Sequence, residues 1–266
     1  MYIYDKKLKL KRYSSGELKI LRSELEKHKK NDRVQIIYNG EESFLELLII
    51  LRYYININTK IDLVLSYLPY QRMDHIGRDE LDTVNYVADI LNGLNLNSIT
   101  ICEPHCDIDV FQNSKEFSYI NYIKQKVFDE INFDENNDTV VLTDKGGLKR
   151  YGNLTKNVVY FNKVRDMQTG LIIKHEIVGT IKQNSKCIIV DDIISTGDTI
   201  LNVVEYLKAH GIKDIYFMCG HYEKNKYNKR LINCDDIQKI YSTNSLSKRS
   251  NKKLKLFDVK EMLCNK

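Results

Sequence analysis

Cys187-Ile188-Ile189-Val190-Asp191-Asp192-Ile193-Ile194-Ser195-Thr196-Gly197-Asp198-Thr199-Ile200-Leu201-Asn202 is the stretch from which the fold follows. The apolar run Cys187 to Val190 has the length and β-branching of a buried parallel strand. It ends in two adjacent carboxylates, Asp191 and Asp192. A short loop of hydroxyls and one glycine follows, and from Thr199 the apolar residues recur at helical spacing. Strand, small-residue turn and helix start make an anion site. The unpaired N–H groups of the first helical turn face the anion, and the hydroxyls of Ser195, Thr196 and Thr199 add donors. Asp191 and Asp192 stand one step before that site, where carboxylates can accept hydrogen bonds from the two hydroxyls of a ribose. The stretch predicts a ribose-phosphate pocket formed by Asp191, Asp192, Ser195, Thr196, Gly197, Asp198 and Thr199.

The rest of the chain repeats the same grammar. Strands are predicted at Val34–Tyr38, Ile61–Tyr67, Asn97–Cys102, Thr139–Thr143, Asn157–Asn162, Ile215–Cys219 and Ile237–Ser242. Helices are predicted at Glu41–Tyr54, 79–93, Tyr119–Phe128 and from near Asp258, and a glycine-punctuated ribbon or flap at 166–186. The N-terminal segment reads as strand, turn and strand around Tyr13-Ser14-Ser15-Gly16-Glu17. Strands alternating with helices mean α/β architecture with mainly parallel sheets. The polar run Asp134–Asp138 breaks the pattern, which suggests domains at 1–130 and 131–266.

Open parallel sheets gather ligand groups at the carboxyl ends of their strands. Here those ends carry Arg72 and Asp74, Glu103 and His105, Asp144 with Lys145, Gly146 and Gly147, Lys163 and Arg165, and Asp191 with Asp192. Cations and backbone donors suit phosphate, while carboxylate and imidazole suit a hydrated Mg²⁺. His105 lies between Cys102 and Cys106, but no second cysteine pair completes a zinc set at usual spacing. The six cysteines form no Cys-x-x-Cys pair and read as reduced and structural.

Composition bounds the rest. The 266 residues allow two α/β domains, and 42% hydrophobic with 29% charged residues is a globular balance. A net charge of +5, from 41 basic and 36 acidic residues, is too mild to argue for nucleic acid. No apolar run reaches membrane length and the N-terminus lacks a signal-peptide core, so a cytoplasmic protein with no membrane partner is expected.

The 187–202 stretch resembles the phosphoribosyl-pyrophosphate signature, and the remaining loops resemble the ribose-phosphate diphosphokinase family. Tyr13-Ser14-Ser15-Gly16-Glu17 resembles the family's Phe-Ser-Asp-Gly-Glu loop, and Tyr70-Gln71-Arg72-Met73-Asp74-His75 its Tyr-Ala-Arg-Gln-Asp-Arg segment. Glu103-Pro104-His105 is similar to Asp-Leu-His, Asp144-Lys145-Gly146-Gly147 to Asp-Ile-Gly-Gly, and Lys163-Val164-Arg165 to Lys-Arg-Arg. Asp198 stands where the family usually carries Gly. The resemblance implies two tandem type I phosphoribosyltransferase-like domains and transfer of the diphosphoryl group of Mg·ATP to ribose 5-phosphate. It implies ATP contacts from Tyr13, Ser15, Glu17, Arg72, Asp74 and His105, metal contacts from His105 and Asp144, and a pyrophosphate loop at Asp144–Gly147. Lys163 and Arg165 become the catalytic cations, and a homo-oligomer, dimer or hexamer, is implied. The family's relatives that pyrophosphorylate ADP-ribose in NAD⁺ rebuilding offer an alternative acceptor. A phosphoribosyltransferase would need only one such domain, and a non-catalytic nucleotide-binding regulator would not need Lys163, Arg165, His105 and Asp144.

Overall fold

The computed structural model describes residues 1–73, 81–165, 172–223, 225 and 229–264, and for 163–165 and 172–175 the backbone alone. The chain divides into two compact units, Met1–Ser118 with Asp258–Lys266, and Tyr119–Phe257.

The first unit runs β1 (Tyr2–Ile3), β2 (Lys6–Lys7), β3 (Lys11–Arg12), β4 (Leu18–Lys19), α1 (Arg22–Glu26), β5 (Arg33–Tyr38), α2 (Phe44–Asn56), β6 (Lys60–Leu65), α3 (Thr83–Asn92), β7 (Ser98–Cys102) and β8 (Ser114–Phe117). Its main sheet has the order β2-β1-β5-β6-β7-β8. The strands β5 to β8 are parallel and β1 is antiparallel to β5. Helix α2 buries Leu47, Ile50, Leu51 and Tyr54, one apolar stripe at helical spacing. Its first turn is closed by a capping box between Ser43 and Glu46.

The second unit runs α4 (Tyr119–Ile131), β9 (Thr139–Leu142), α5 (Gly147–Tyr151), β10 (Val158–Arg165), β11 (Ile172–Val178), β12 (Cys187–Ile194), α6 (Asp198–Ala209), β13 (Ile215–Tyr222), α7 (Lys229–Ile232), β14 (Ile237–Thr243) and β15 (Leu254–Phe257). Its sheet order is β11-β10-β9-β12-β13-β14-β15, all parallel except β11. Val140, Val141, Leu142, Cys187, Ile188 and Ile189 have no exposed surface, the continuous apolar run of strands covered on both faces. Helix α6 seals the sheet with Ile200, Val203, Val204 and Leu207. A last helix, α8 (Val259–Cys264), belongs to the first unit, where Lys260 lies over the Tyr2 ring and the Cys264 thiol donates to the Tyr4 carbonyl.

Each unit is thus a mainly parallel sheet flanked by helices, as the sequence predicts. The division falls at 118/119 rather than 130/131. Helix α4 packs on β13 and its Glu130 accepts from Lys239, Lys255 and Tyr241, which ties it to the second unit. The edge strands β8 and β15 escaped the sequence reading because Ser114-Lys115-Glu116-Phe117 and Leu254-Lys255-Leu256-Phe257 are short and carry lysines. The strand β12 continues past Val190 to Ile194, because Asp191, Ile193 and Ile194 still pair with Cys219, His221 and Tyr222 of β13. Helix α6 begins at Asp198, one residue before the expected start. Among the described residues no helix is long and apolar enough to cross a membrane.

The Glu130 cluster has a pH signature. Burial works to raise its pKa, but hydrogen bonds from Lys239 and Lys255 outweigh that and hold the carboxyl at about 2. A depressed folded value stabilises above the unfolded value of about 4.3, and that contribution is lost as pH falls toward 2. Glu130→Gln is expected to cost about 1–3 kcal/mol at pH 7, because the group is partly solvated. The cost should fall to about half near pH 3 and to little below pH 2, as read from denaturant unfolding at each pH.

Candidate functional site

The sheet of the second unit reverses its winding between β9 and β12. From β9 the chain steps outward to β10, then returns to the other side of β9 for β12 and onward to β13. At such a reversal the two crossovers part and leave a crevice beyond the strands' carboxyl ends. In the first unit, β5 to β8 follow one direction without a reversal. The crevice of the second unit is therefore where the architecture opens a ligand site, and the predicted pocket lies at its mouth.

The carboxyl ends of β9 and β12 meet there. The Thr143 hydroxyl donates to Asp191 Oδ2 at 3.0 Å, and the Asp192 N–H donates to Asp191 Oδ1 at 3.0 Å. Burial, and then the charge of Asp192, push the Asp191 pKa up, partly countered by the Thr143 bond. Asp192 is 2% exposed and pairs with Arg150 Nη2 at 3.2 Å. Burial works to lower the Arg150 pKa, yet the charges of Asp192, Tyr151, Asp191 and Asp144 together outweigh it and leave the guanidinium above its ordinary value. The two adjacent acids are thus unequal. Asp191 faces the crevice partly exposed, and Asp192 is committed to an internal ion pair.

This inequality predicts a trade. The folded-state pKa of Asp191 lies above the unfolded one, so the native chain holds the extra proton. Stability therefore falls as pH rises above the ordinary aspartate value of about 3.9. Asp191→Asn should be more stable than the parent at pH 8 by about 1–2 kcal/mol, allowing for solvent screening, with no gain near pH 4. Urea titration at the two pH values reads this.

The loop after β12 is built for close approach. Gly197 has φ of +85° and N-caps α6, and a Cβ placed on it would lie 2.5 Å from Leu231 Cδ1. Only glycine meets both demands. The exposed Asp198 sits in the first turn of α6, where its charge would oppose a bound anion. Its carboxylate turns to Arg230 Nη1 at 2.6 Å. Asn225 Nδ2 donates to the Ser195 carbonyl at 2.8 Å and fixes the other side of the loop. The α6 N-terminus so presents its N–H groups with Ser195, Thr196 and Thr199 around it.

Across the crevice, Asp144 Oδ1 accepts the Gly147 N–H at 3.1 Å. A Cβ on Gly147 would sit 3.3 Å from Leu142 Cβ, and one on Gly146 3.1 Å from Asp144 Oδ1. The glycines let the turn fold onto its own acid and strand. Lys163 and Arg165 end β10, in register with His175 and Ile172 of β11, and the ladder shifts between Val164 and Arg165. Part of the expected flap is thus an antiparallel ribbon, but it leaves the sheet at Tyr160 and Val178, so Lys163 and Arg165 lie within its β10 arm and not at its root.

In the first unit, Tyr13, Ser15 and Glu17 form the tip of the β3–β4 hairpin. Gly16 takes φ of +90°, and Ser15 Oγ donates to Glu17 Oε2 at 2.9 Å. Arg12 pairs with Glu46 of the α2 capping box at 2.6 Å, which docks the hairpin at the carboxyl end of β5. The loops after β6 and β7 leave that same end. His105 donates its backbone N–H to Oε1 of the fully buried Gln71 at 2.9 Å, joining the loop of Arg72 to the loop of His105. Tyr70 and Glu103 in these loops hold left-handed conformations, φ of +64° and +46°. Asp74 and His75 lie outside the described residues. The sequence reading missed Thr143, Arg150, Arg230 and Gln71. A buried-partner argument for the acid pair would have asked for a cation near Asp192, but nothing in spacing pointed to residue 150.

Among the described residues no group of three or more His, Cys, Asp or Glu could hold a metal by itself. Cys102 and Cys106 are buried and form no disulfide.

Known proteins resemble this chain in both sequence and fold. Residues 109–250 match the phosphoribosyl transferase domain family, a span that includes nearly all of the second unit. The ribose-phosphate pyrophosphokinase of Sulfolobus acidocaldarius is 27% identical over 242 residues, 88% of this chain and 82% of that protein. That of Sulfurisphaera tokodaii is 26% identical over 228 residues, 82% and 77% of the two chains. The crystal structure of phosphoribosylpyrophosphate synthetase from Mycobacterium smegmatis superposes with a TM-score of 0.75 at 21% identity, covering 96% of this chain and 87% of that one. The two-domain fold inferred from the loops is thus the fold of this chain, and the resemblance to ribose-phosphate diphosphokinases spans both units.

Proposed function

We propose that this chain, which belongs to the phosphoribosyl transferase domain family, transfers the diphosphoryl group of ATP to the anomeric hydroxyl of ribose 5-phosphate, releasing AMP. The observation that carries this reading is the crevice itself. An acid pair closed by Thr143 stands directly before a helix N-terminus cleared of its own carboxylate by Arg230. A ribose laid there gives its hydroxyls to Asp191 and its 5′-phosphate to the 195–199 loop. Relatives named ribose-phosphate pyrophosphokinase, with two units to match, support diphosphoryl transfer over simple glycosyl exchange.

In this reading the sugar hydroxyl attacks the β-phosphorus and the bond to the α-phosphate oxygen breaks. Such transfers ask little covalent chemistry of the protein, and alignment and charge neutralisation dominate. Lys163 and Arg165 neutralise the transferring oxygens. The hairpin tip of Tyr13, Ser15 and Glu17, with Arg72 and His105, holds the nucleotide. The turn Asp144 to Gly147 faces the diphosphate. Mg²⁺ fits this donor set. It favours one or two protein ligands plus phosphate oxygens over an all-protein cage, and Asp144 in the second unit and His105 in the first would each be a ligand of that kind. When bound, the ion supplies charge neutralisation between phosphates.

ADP-ribose is the alternative acceptor to test, since its ribose phosphate presents the same groups to the 195–199 loop. Mass spectrometry of products from Mg·ATP with ribose 5-phosphate or ADP-ribose separates the two. We expect a product heavier than ribose 5-phosphate by two phosphoryl groups, and AMP. If ADP-ribose alone gained them, the second reading would replace the first, and if neither did, both would fail.

A further inference from the structure

The second unit holds a cavity of about 400 Å³ that the transfer reaction does not use. Its apolar wall is Tyr222, Ile232 and Leu254, and Lys229 and Arg249 bring two cations to it. Ser247 lines it too. Ser247 is 1% exposed, and its Oγ has no hydrogen-bond partner among the described residues. A buried hydroxyl left so costs about 1–3 kcal/mol unless something outside the described chain satisfies it. No carboxylate is among the described residues that line the cavity. The volume is within the range of small-molecule sites and several times what a lone phosphate would fill. An apolar wall, a buried hydroxyl and two cations together match a ligand with a flat ring and an anionic end.

We propose that this cavity binds a phosphorylated nucleoside and that its occupancy is felt by the acceptor loop. The second clause rests on the reading that residues 195–199 hold the acceptor phosphate. Three contacts link the cavity's wall to that loop. Asn225, which lines the cavity, donates to the Ser195 carbonyl at 2.8 Å. Leu231, between Arg230 and Ile232, packs onto Gly197, and Arg230 holds Asp198. A ligand that moves Asn225 or α7 therefore acts on the loop's backbone and on the direction of its carboxylate. The ligand has two sources: a free nucleotide, or the nucleoside end of an acceptor whose ribose phosphate occupies the loop.

Calorimetric titration separates these sources. AMP is titrated into the full chain saturated with ribose 5-phosphate and a non-hydrolysable ATP analogue, and ADP-ribose into the chain with the analogue alone. Binding of AMP under these conditions, weakened at least tenfold by Arg249→Ala and by Ser247→Val, identifies a free-nucleotide site. Binding of ADP-ribose weakened tenfold by the same variants, with ribose 5-phosphate affinity unchanged and no AMP bound, identifies the tethered source. Thermal midpoints and ribose 5-phosphate turnover near the parent's show that the variants fold. Absence of both binding signals, or binding indifferent to both substitutions, overturns the proposal. Calorimetry reads binding without turnover, so a chain lacking the transfer reaction could still show this site.

Discussion

Lys163→Ala and Arg165→Ala should each lower turnover by about 10²–10⁴ while changing the KM for either substrate less than about threefold. The reasoning is electrostatic. As the β-phosphorus passes from one oxygen to the other, charge spreads over its free oxygens. A cation placed there acts on the transition state and hardly on the bound substrates. Both residues lie near the end of β10, where the ladder to β11 shifts register, on the ribbon that leaves the sheet after Tyr160. Steady-state kinetics of the two variants check this. A KM rise of a hundredfold with unchanged turnover would instead make them ground-state binding residues, and normal values for both would remove them from the reaction.

The second large effect concerns stability. Asp192→Ala should cost about 2–4 kcal/mol, because it leaves the half-buried Arg150 guanidinium without the Asp192 carboxylate. The double variant Asp192→Ala with Arg150→Met should recover most of that loss, since no unpaired charge then remains. Guanidinium unfolding of the three proteins reads the effect. A single-variant cost below about 1 kcal/mol would mean that water reaches the pair and that Asp192 is available to a sugar as freely as Asp191.

These predictions separate residues that the sequence presents as equals. Asp191 and Asp192 are neighbours in one strand, and a linear reading gives both to the ribose. The structure gives Asp192 to Arg150, forty-two positions away, a pairing no local pattern encodes. Asp198 carries the same lesson. Its charge looked ill-placed for a phosphate site until Arg230 was seen to turn it aside. What was legible was whatever local chemistry dictates: the apolar runs of β9 and β12, the helical stripe of α6, and the glycine at residue 197. The extension of β12 to Ile194 was not, because it depends on β13 continuing alongside to Tyr222. Gln71 was illegible too, since a buried amide joining two loops looks in sequence like any polar loop residue.

Phosphorus NMR of one reaction tests the central claim most directly, with the chain, Mg²⁺, ATP and ribose 5-phosphate in the tube. The account predicts that AMP and a new diphosphate attached to the sugar's C1 grow in equal amounts as ATP declines. Growth of ADP with a sugar bisphosphate, or release of inorganic diphosphate with no C1 product, would contradict it.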